Sequence, residues 1–171
     1  MPFLADAMLG KLARWLRIMG YDTVYDPCLE DPSLLVLAER EGRILLTRDE
    51  DLFRRAAREG TGSVLLRKTT IDGELEELSK LLAAELPGES RCPICNCTLE
   101  VLQQSMPWNM EATPGEALWR CFGCGKVYWH GSHWKGINST LSKLGLSDPI
   151  DHASRRLLSD KTCKGGHHQV H

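Results

Sequence analysis

No stretch of this sequence reaches the roughly 18 consecutive apolar residues that a membrane-spanning helix needs, so no membrane partner is expected. No secretory signal is expected either: Asp6 stands where a basic region belongs, and Lys11, Arg14 and Arg17 interrupt any apolar run. The expected location is therefore intracellular, in the cytoplasm. There is no internal repeat of useful length, which sets aside solenoids and propellers. One-sided charge is lacking too. The 21 Lys and Arg against 23 Asp and Glu leave a net charge of −2, so the whole chain carries no basic signal. With 42% apolar and 26% charged residues, the composition is not collagen-like, low-complexity or disordered. Its 171 residues fit one domain, or a core domain with a small appendage.

The charge that is present is unevenly spread. Residues 1–90 hold 12 basic and 17 acidic residues, net −5, whereas residues 91–171 hold 9 and 6, net +3. A mildly basic second part suits contact with a polyanion, though weakly. In an intracellular chain, the seven cysteines read as metal ligands or free thiols before disulfides.

Two hydrophobic periods alternate over the first 86 residues. Pro2–Ala5 is a short apolar run. Met8, Leu9, Leu12, Ala13, Leu16 and Met19 recur at helical spacing, and Gly20 stops them. Tyr21–Tyr25 reads as a strand. Asp31 and Pro32 open a helix over Leu34–Arg40. Arg43–Thr47 is a buried strand, Asp49 to Arg58 a helix, Ser63–Leu66 a strand and Asp72 to Leu86 a helix. Short strands joined through helices pair in parallel with right-handed crossovers, giving a small three-layer α/β domain. Pro87-Gly88-Glu89-Ser90 marks its end. The expected division is 1–87 for this domain, 88–137 for a cysteine- and tryptophan-rich segment, and 138–171 for a short helix around Leu141, Leu144 and Leu146 with a loose tail.

In open α/β sheets, ligands bind beyond the carboxyl ends of the strands. The residues falling there are acidic. Asp6 follows the first strand, Asp26 and then Asp31 the second, and Thr47, Asp49 and Asp51 the third, with Arg48 and Arg67 nearby. Converging carboxylates repel one another unless a cation joins them. Hard divalent ions such as Mg²⁺ or Mn²⁺ take such oxygens and activate water for phosphodiester hydrolysis. Each Asp taken singly also suits a helix N-cap. Asp22 reads as a turn or surface residue.

Cys92-Pro-Ile-Cys95 and Cys121-Phe-Gly-Cys124 are two Cys-x-x-Cys knuckles separated by 25 residues, which suits a closed, structural Zn²⁺ site. Gly123 and Gly125 fit the second knuckle. Cys97 is a possible competitor, and Cys28 and Cys163 read as free thiols. Trp119, Trp129, His130, His133 and Trp134 lie among Arg120, Lys126 and Lys135, either as a surface that stacks on unpaired bases or as packing against the first domain. Lys11, Arg14 and Arg17 fall on the polar side of the first helix, and Arg54, Arg55 and Arg58 on a later one. They read as solvated faces or as phosphate contacts.

These residues resemble a known family. Residues 3–67 look like a PIN-like ribonuclease domain, and LADAMLGKLARWLRIMG, residues 4–20, resembles the start of the Mut7-C ribonuclease family. Gly42-Arg-Ile-Leu-Leu-Thr-Arg-Asp-Glu-Asp-Leu-Phe53 is similar to the PIN pattern of a strand ending T-x-D-x-D-F, with Phe53 one position late. The likeness continues through the cysteines to Trp134. It implies that Asp6, Asp31, Asp49 and Asp51 bind Mg²⁺ or Mn²⁺, that Thr47 supports them, and that Cys92, Cys95, Cys121 and Cys124 hold zinc. Larger PIN domains carry a further acidic residue on a helix, and Asp26 is the candidate here. The implied function is a metal-dependent endoribonuclease acting on RNA, with ribonucleoproteins as possible partners. The rival is a non-catalytic RNA-binding module or adaptor. DNA cleavage stays open. Aspartyl-phosphate chemistry fits poorly, because Asp6 is followed at the second position by Met8.

Overall fold

Phe3–Ala5 forms β1, and a single 3-10 turn at Ala7–Leu9 leads into α1, Gly10–Ile18. There follow β2 (Thr23–Tyr25), α2 (Asp31–Glu41), β3 (Ile44–Thr47), α3 (Glu50–Arg58), β4 (Ser63–Leu65) and α4 (Ile71–Leu78). The computed structural model describes residues 1–79, 81–82, 89–102, 118–129, 132–143 and 145. Helix α4 ends at Leu78 rather than at Leu86, which lies outside the described residues. The helix stops follow from local chemistry: Pro32 sits in the first turn of α2, and Gly42 closes it at φ +59°, which a side chain would strain.

The four strands are parallel in the order β2-β1-β3-β4. Their alternating side chains divide the core into two layers. Phe3, Ala5 and Leu46 face Leu12 and Leu16 of α1 and Leu75 and Leu78 of α4. Leu4 and Leu45 face Leu34, Leu35 and Ala38 of α2 and Leu52 and Ala56 of α3. Each such Leu or Phe contributes roughly 2 kcal/mol by leaving water. The expected three-layer α/β domain is therefore present. The strand order reverses between β1, which leads to β2, and β3, which leads to β4. A ligand crevice belongs at that reversal, beyond the carboxyl ends of β1 and β3.

The second sheet is antiparallel, with β5 (Leu99–Leu102), β6 (Leu118–Cys121) and β7 (Val127–Trp129) in that order. Helix α5, Ser132–Lys143, starts earlier than Asn138 and buries Leu141 in the layer of α1 and α4. Its Lys143 Nζ lies 3.6 Å from Asp72 Oδ2, so α5 ends beside the start of α4.

The joint between the sheets corrects two expectations. Arg17 is not on a solvated face: it is 4% exposed, and its guanidinium turns toward the ribbon. Its Nε donates to Thr23 O at 2.8 Å, and Nη1 donates to Pro93 O and Ile94 O, each at 3.0 Å. Asp22 is no idle turn residue either. It accepts from Arg43 Nη1 at 3.1 Å and from Asn96 Nδ2 at 2.6 Å, while Asn96 Oδ1 accepts from Thr23 N at 3.1 Å. Asn96 has φ +68°, a conformation that Asn tolerates better than most residues. Arg91 N donates to Arg17 O at 2.8 Å. The first knuckle is thus docked at the amino end of the parallel sheet, opposite the acidic edge.

Candidate functional site

At the carboxyl edge, Asp6 is held from three sides. Its N–H donates to Leu46 O across the β1–β3 pair at 3.0 Å. Its Oδ1 accepts from Ala7 N at 2.5 Å and caps the 3-10 turn. Its Oδ2 accepts from Thr47 Oγ1 at 2.7 Å. Thr47 is fully buried, and the same hydroxyl accepts from Asp49 N at 2.9 Å. One hydroxyl therefore fixes both the first acid and the loop that carries the second. Asp49 Oδ1 accepts from Asp51 N and Leu52 N, at 2.7 and 3.0 Å, as the N-cap of α3. Its other oxygen makes no hydrogen bond among the described residues.

The remaining acids are placed differently. Asp51 points out, its side chain 87% exposed, and pairs with Arg54 at 3.0 Å. Asp31 pairs with Arg55 at 3.2 Å. Asp26 accepts from Cys28 N at 2.9 Å in its own turn. The structure brings Asp6, Thr47 and Asp49 together and ties Asp31 and Asp51 to arginines of α3. Among the described residues, no group of three or more carboxylates is gathered closely enough to hold a metal ion without further movement.

Sequence reasoning passed over Tyr25 and Gly10. Tyr25 Oη donates to Ala7 O at 3.0 Å and braces the turn that Asp6 caps. A Cβ on Gly10 would lie 2.7 Å from that ring, so this helix start accepts only glycine without a shift. A lone glycine within a helical pattern was the available signal.

The four knuckle cysteines converge. Their Sγ atoms all lie within 4.8 Å of one another, with Cys92 and Cys124 3.6 Å apart and Cys95 and Cys121 3.3 Å apart. Tetrahedral zinc with Zn–S of about 2.3 Å asks for sulfurs about 3.8 Å apart, so donor type, number and spacing fit. These cysteines support a structural metal such as zinc, with no position left open for catalysis. Tyr128 Oη lies 3.0 Å from Cys92 Sγ, and burial followed by this thiol pushes the phenol's pKa well up, so the phenol keeps its proton. Cys97 is outside the set and packs on the second knuckle: a Cβ on Gly123 would lie 2.5 Å from its Sγ. Cys28 is an exposed free thiol, and Cys163 lies outside the described residues.

Of the ribbon aromatics, Trp119 is buried at 4% exposure and serves packing, while Trp129 is half-buried. Trp108 and His130 lie outside the described residues, as do the side chains of Ser132, His133, Trp134 and Lys135. The backbone of His133 is in the first turn of α5, about 15 Å along the helix from Lys143. Lys143 is the end of the helix that meets Asp72.

An α/β sheet with acids at its strand reversal, joined to a four-cysteine ribbon, is the architecture that the comparisons then place. The chain belongs to the Mut7-C RNAse domain family, whose model matches residues 1–141. No curated protein and no solved structure matches it. The family points to a ribonuclease-related function with RNA as the substrate. Among the described residues, no helix is long and apolar enough to cross a membrane.

Proposed function

We propose that the chain is a metal-dependent endoribonuclease that hydrolyses RNA phosphodiester bonds at the carboxyl edge of its parallel sheet. Residues 1–87 form the nuclease domain, which we read as PIN-like, and residues 88–137 the ribbon that contacts RNA. The observation that supports this reading is the Thr47 hydroxyl at the β1/β3 reversal, which donates to the Asp6 carboxylate and accepts from the backbone N–H of Asp49. Two hard carboxylates there fit Mg²⁺ or Mn²⁺, which bind through one or two carboxylates plus water and substrate phosphate. Such an ion supplies an acidified water and positive charge against the leaving oxygen.

The chain's own residues then divide the work. Buried Asp6 is the fixed ligand, oriented by Thr47 and by the capped turn. Exposed Asp49, whose second carboxylate oxygen makes no hydrogen bond among the described residues, would hold the ion beside Asp6. Asp31 and Asp51 form the outer acidic ring, and their arginines Arg55 and Arg54 turn to substrate phosphates when the strand enters. The basic ribbon half adds affinity that is independent of the ion.

A labelled RNA with hairpins and single-stranded regions tests this in Mn²⁺, in Mg²⁺ and with no added divalent ion. Cleavage that needs the ion supports the enzyme. One observation favours the second reading, a binding module without catalysis: Asp31 and Asp51 are already neutralised by arginine. That reading predicts RNA binding without cleavage under every ion condition.

A further inference from the structure

The acidic edge continues into a cleft that none of the four acids lines. Arg48 directly follows Thr47, and Met8 stands two residues beyond Asp6, so the cleft opens beside the proposed reactive centre. Its volume is about 560 Å³. Met8, Leu12 and Ile71 supply apolar walls, and Lys11, Arg48 and Glu74 supply polar groups. Apolar walls with a few convergent polar groups are the composition of a small-ligand pocket.

Glu74 is the unexplained member. It is 5% exposed, yet its ion-pair partner among the described residues, Arg48 Nη1, stands 3.7 Å away, too far for a hydrogen bond. Buried carboxylates are ordinarily paired and hydrogen-bonded. The other terminal nitrogen of Arg48, Nη2, donates to Met8 O at 3.2 Å. Asp72, on the same rim, is paired with Lys143. Burial, with the charge of Glu77, holds the Glu74 carboxyl above the usual range, against the lowering charges of Arg48 and Lys11. Glu74 lines this apolar-walled cleft, and a carboxylate offers two acceptor oxygens that suit two adjacent N–H donors on a flat ligand.

We propose that this cleft is a nucleobase pocket for the nucleotide flanking the scissile phosphate, and that Glu74 selects guanine in it. The inference rests on RNA being the substrate. Guanine offers N1–H and N2–H side by side, one for each carboxylate oxygen. Adenine, cytosine and uracil each set an acceptor beside their donor and would turn a lone pair toward Glu74. Unpaired bases expose these edges in single-stranded RNA. Met8, 49% exposed at the mouth, covers the face of the base, and exposed Lys11 meets the phosphate.

The experiment measures binding of the zinc-loaded full chain to labelled uridine pentamers with a central guanosine or adenosine, without added Mg²⁺ or Mn²⁺. The wild type should bind the guanosine pentamer roughly tenfold tighter, in the range of a good base-edge contact. Glu74→Gln should remove that preference by weakening guanosine alone, whereas Lys11→Ser should weaken both pentamers equally. Met8→Ser is the second variant, at an exposed position, and should weaken guanosine binding. Equal binding by the wild type, a preference for adenosine, or a guanosine preference that survives Glu74→Gln overturns the pocket and leaves the RNA reading standing. No binding of either pentamer or of a longer RNA overturns the RNA reading, and the pocket with it.

Discussion

The guanidinium of Arg17, buried in the last turn of α1, donates to the carbonyl of Ile94, 77 residues further along and inside the first cysteine knuckle, at 3.0 Å. The same nitrogen reaches Pro93 O, so a single side chain of the parallel domain reads the backbone of the metal-binding turn. A zinc site of four thiolates is anionic, and Cys92 and Cys95 offset the desolvation that lowers the Arg17 pKa. Charge and geometry therefore favour the same pairing.

Arg17→Ala should cost about 3 kcal/mol, because it strands buried carbonyls that a charged donor now satisfies. Zinc removal by a chelator should act on the same joint. Hydrogen exchange is the measurement, and both changes should speed exchange at Thr23 and Arg91, whose N–H groups bond across the joint. Leu45 and Leu46, in the core, should change least.

The joint should also loosen in acid. Burial alone would raise the Asp22 pKa, but hydrogen bonds from Arg43 and Asn96, with the charges of Arg43 and Arg91, outweigh it and hold the carboxyl below its usual range. A depressed carboxyl stabilises the fold above its unfolded pKa of about 3.9, and that stability goes as pH falls through the folded value. Melting temperature should therefore fall below about pH 4, and more shallowly in Asp22→Asn than in the wild type.

Thr47→Val keeps the shape of a buried side chain and removes the hydroxyl shared by Asp6 and Asp49. Leaving both partners unsatisfied should cost about 1–3 kcal/mol of stability. Activity should fall roughly 10- to 100-fold, the usual effect of removing a group that orients a metal ligand. Chemical denaturation and initial cleavage rates separate the two effects.

Gly123→Ala should disturb the second knuckle, since the new Cβ would lie 2.5 Å from Cys97 Sγ and 3.2 Å from Cys97 Cβ. Zinc affinity, read by competition with a chromophoric chelator, should drop. Adding Cys97→Ala should recover most of the loss, because it removes the sulfur that the new methyl meets.

Much of this was readable in the residues. The Leu-rich strands, the helical stripe through Leu12 and Leu16, and the acids following the strands led to the α/β sheet and its edge. The paired cysteines led to the cluster that the structure shows. Arg17 was hidden by helix geometry: Lys11, Arg14 and Arg17 step by three, and each step drifts about 60° on a helix of 3.6 residues per turn. That drift carries Arg17 to within one turn of buried Ala13 and off the solvated face. Asp22 escaped because its partner Asn96 is 74 residues away, and no local pattern reports so distant a contact. Tyr25 and Glu74 likewise gain their roles only when the strands and helices meet.

The most direct test of the central claim compares single-turnover cleavage of one RNA by zinc-loaded wild type, Asp6→Asn, Asp49→Asn and Asp51→Asn, each prepared identically and assayed with Mn²⁺. The account predicts loss of at least about 100-fold for Asp6→Asn and Asp49→Asn, which remove the organised pair, and about tenfold or less for the exposed Asp51→Asn. Cleavage that persists in Asp6→Asn and Asp49→Asn would contradict it and move the chemistry away from the β1/β3 edge.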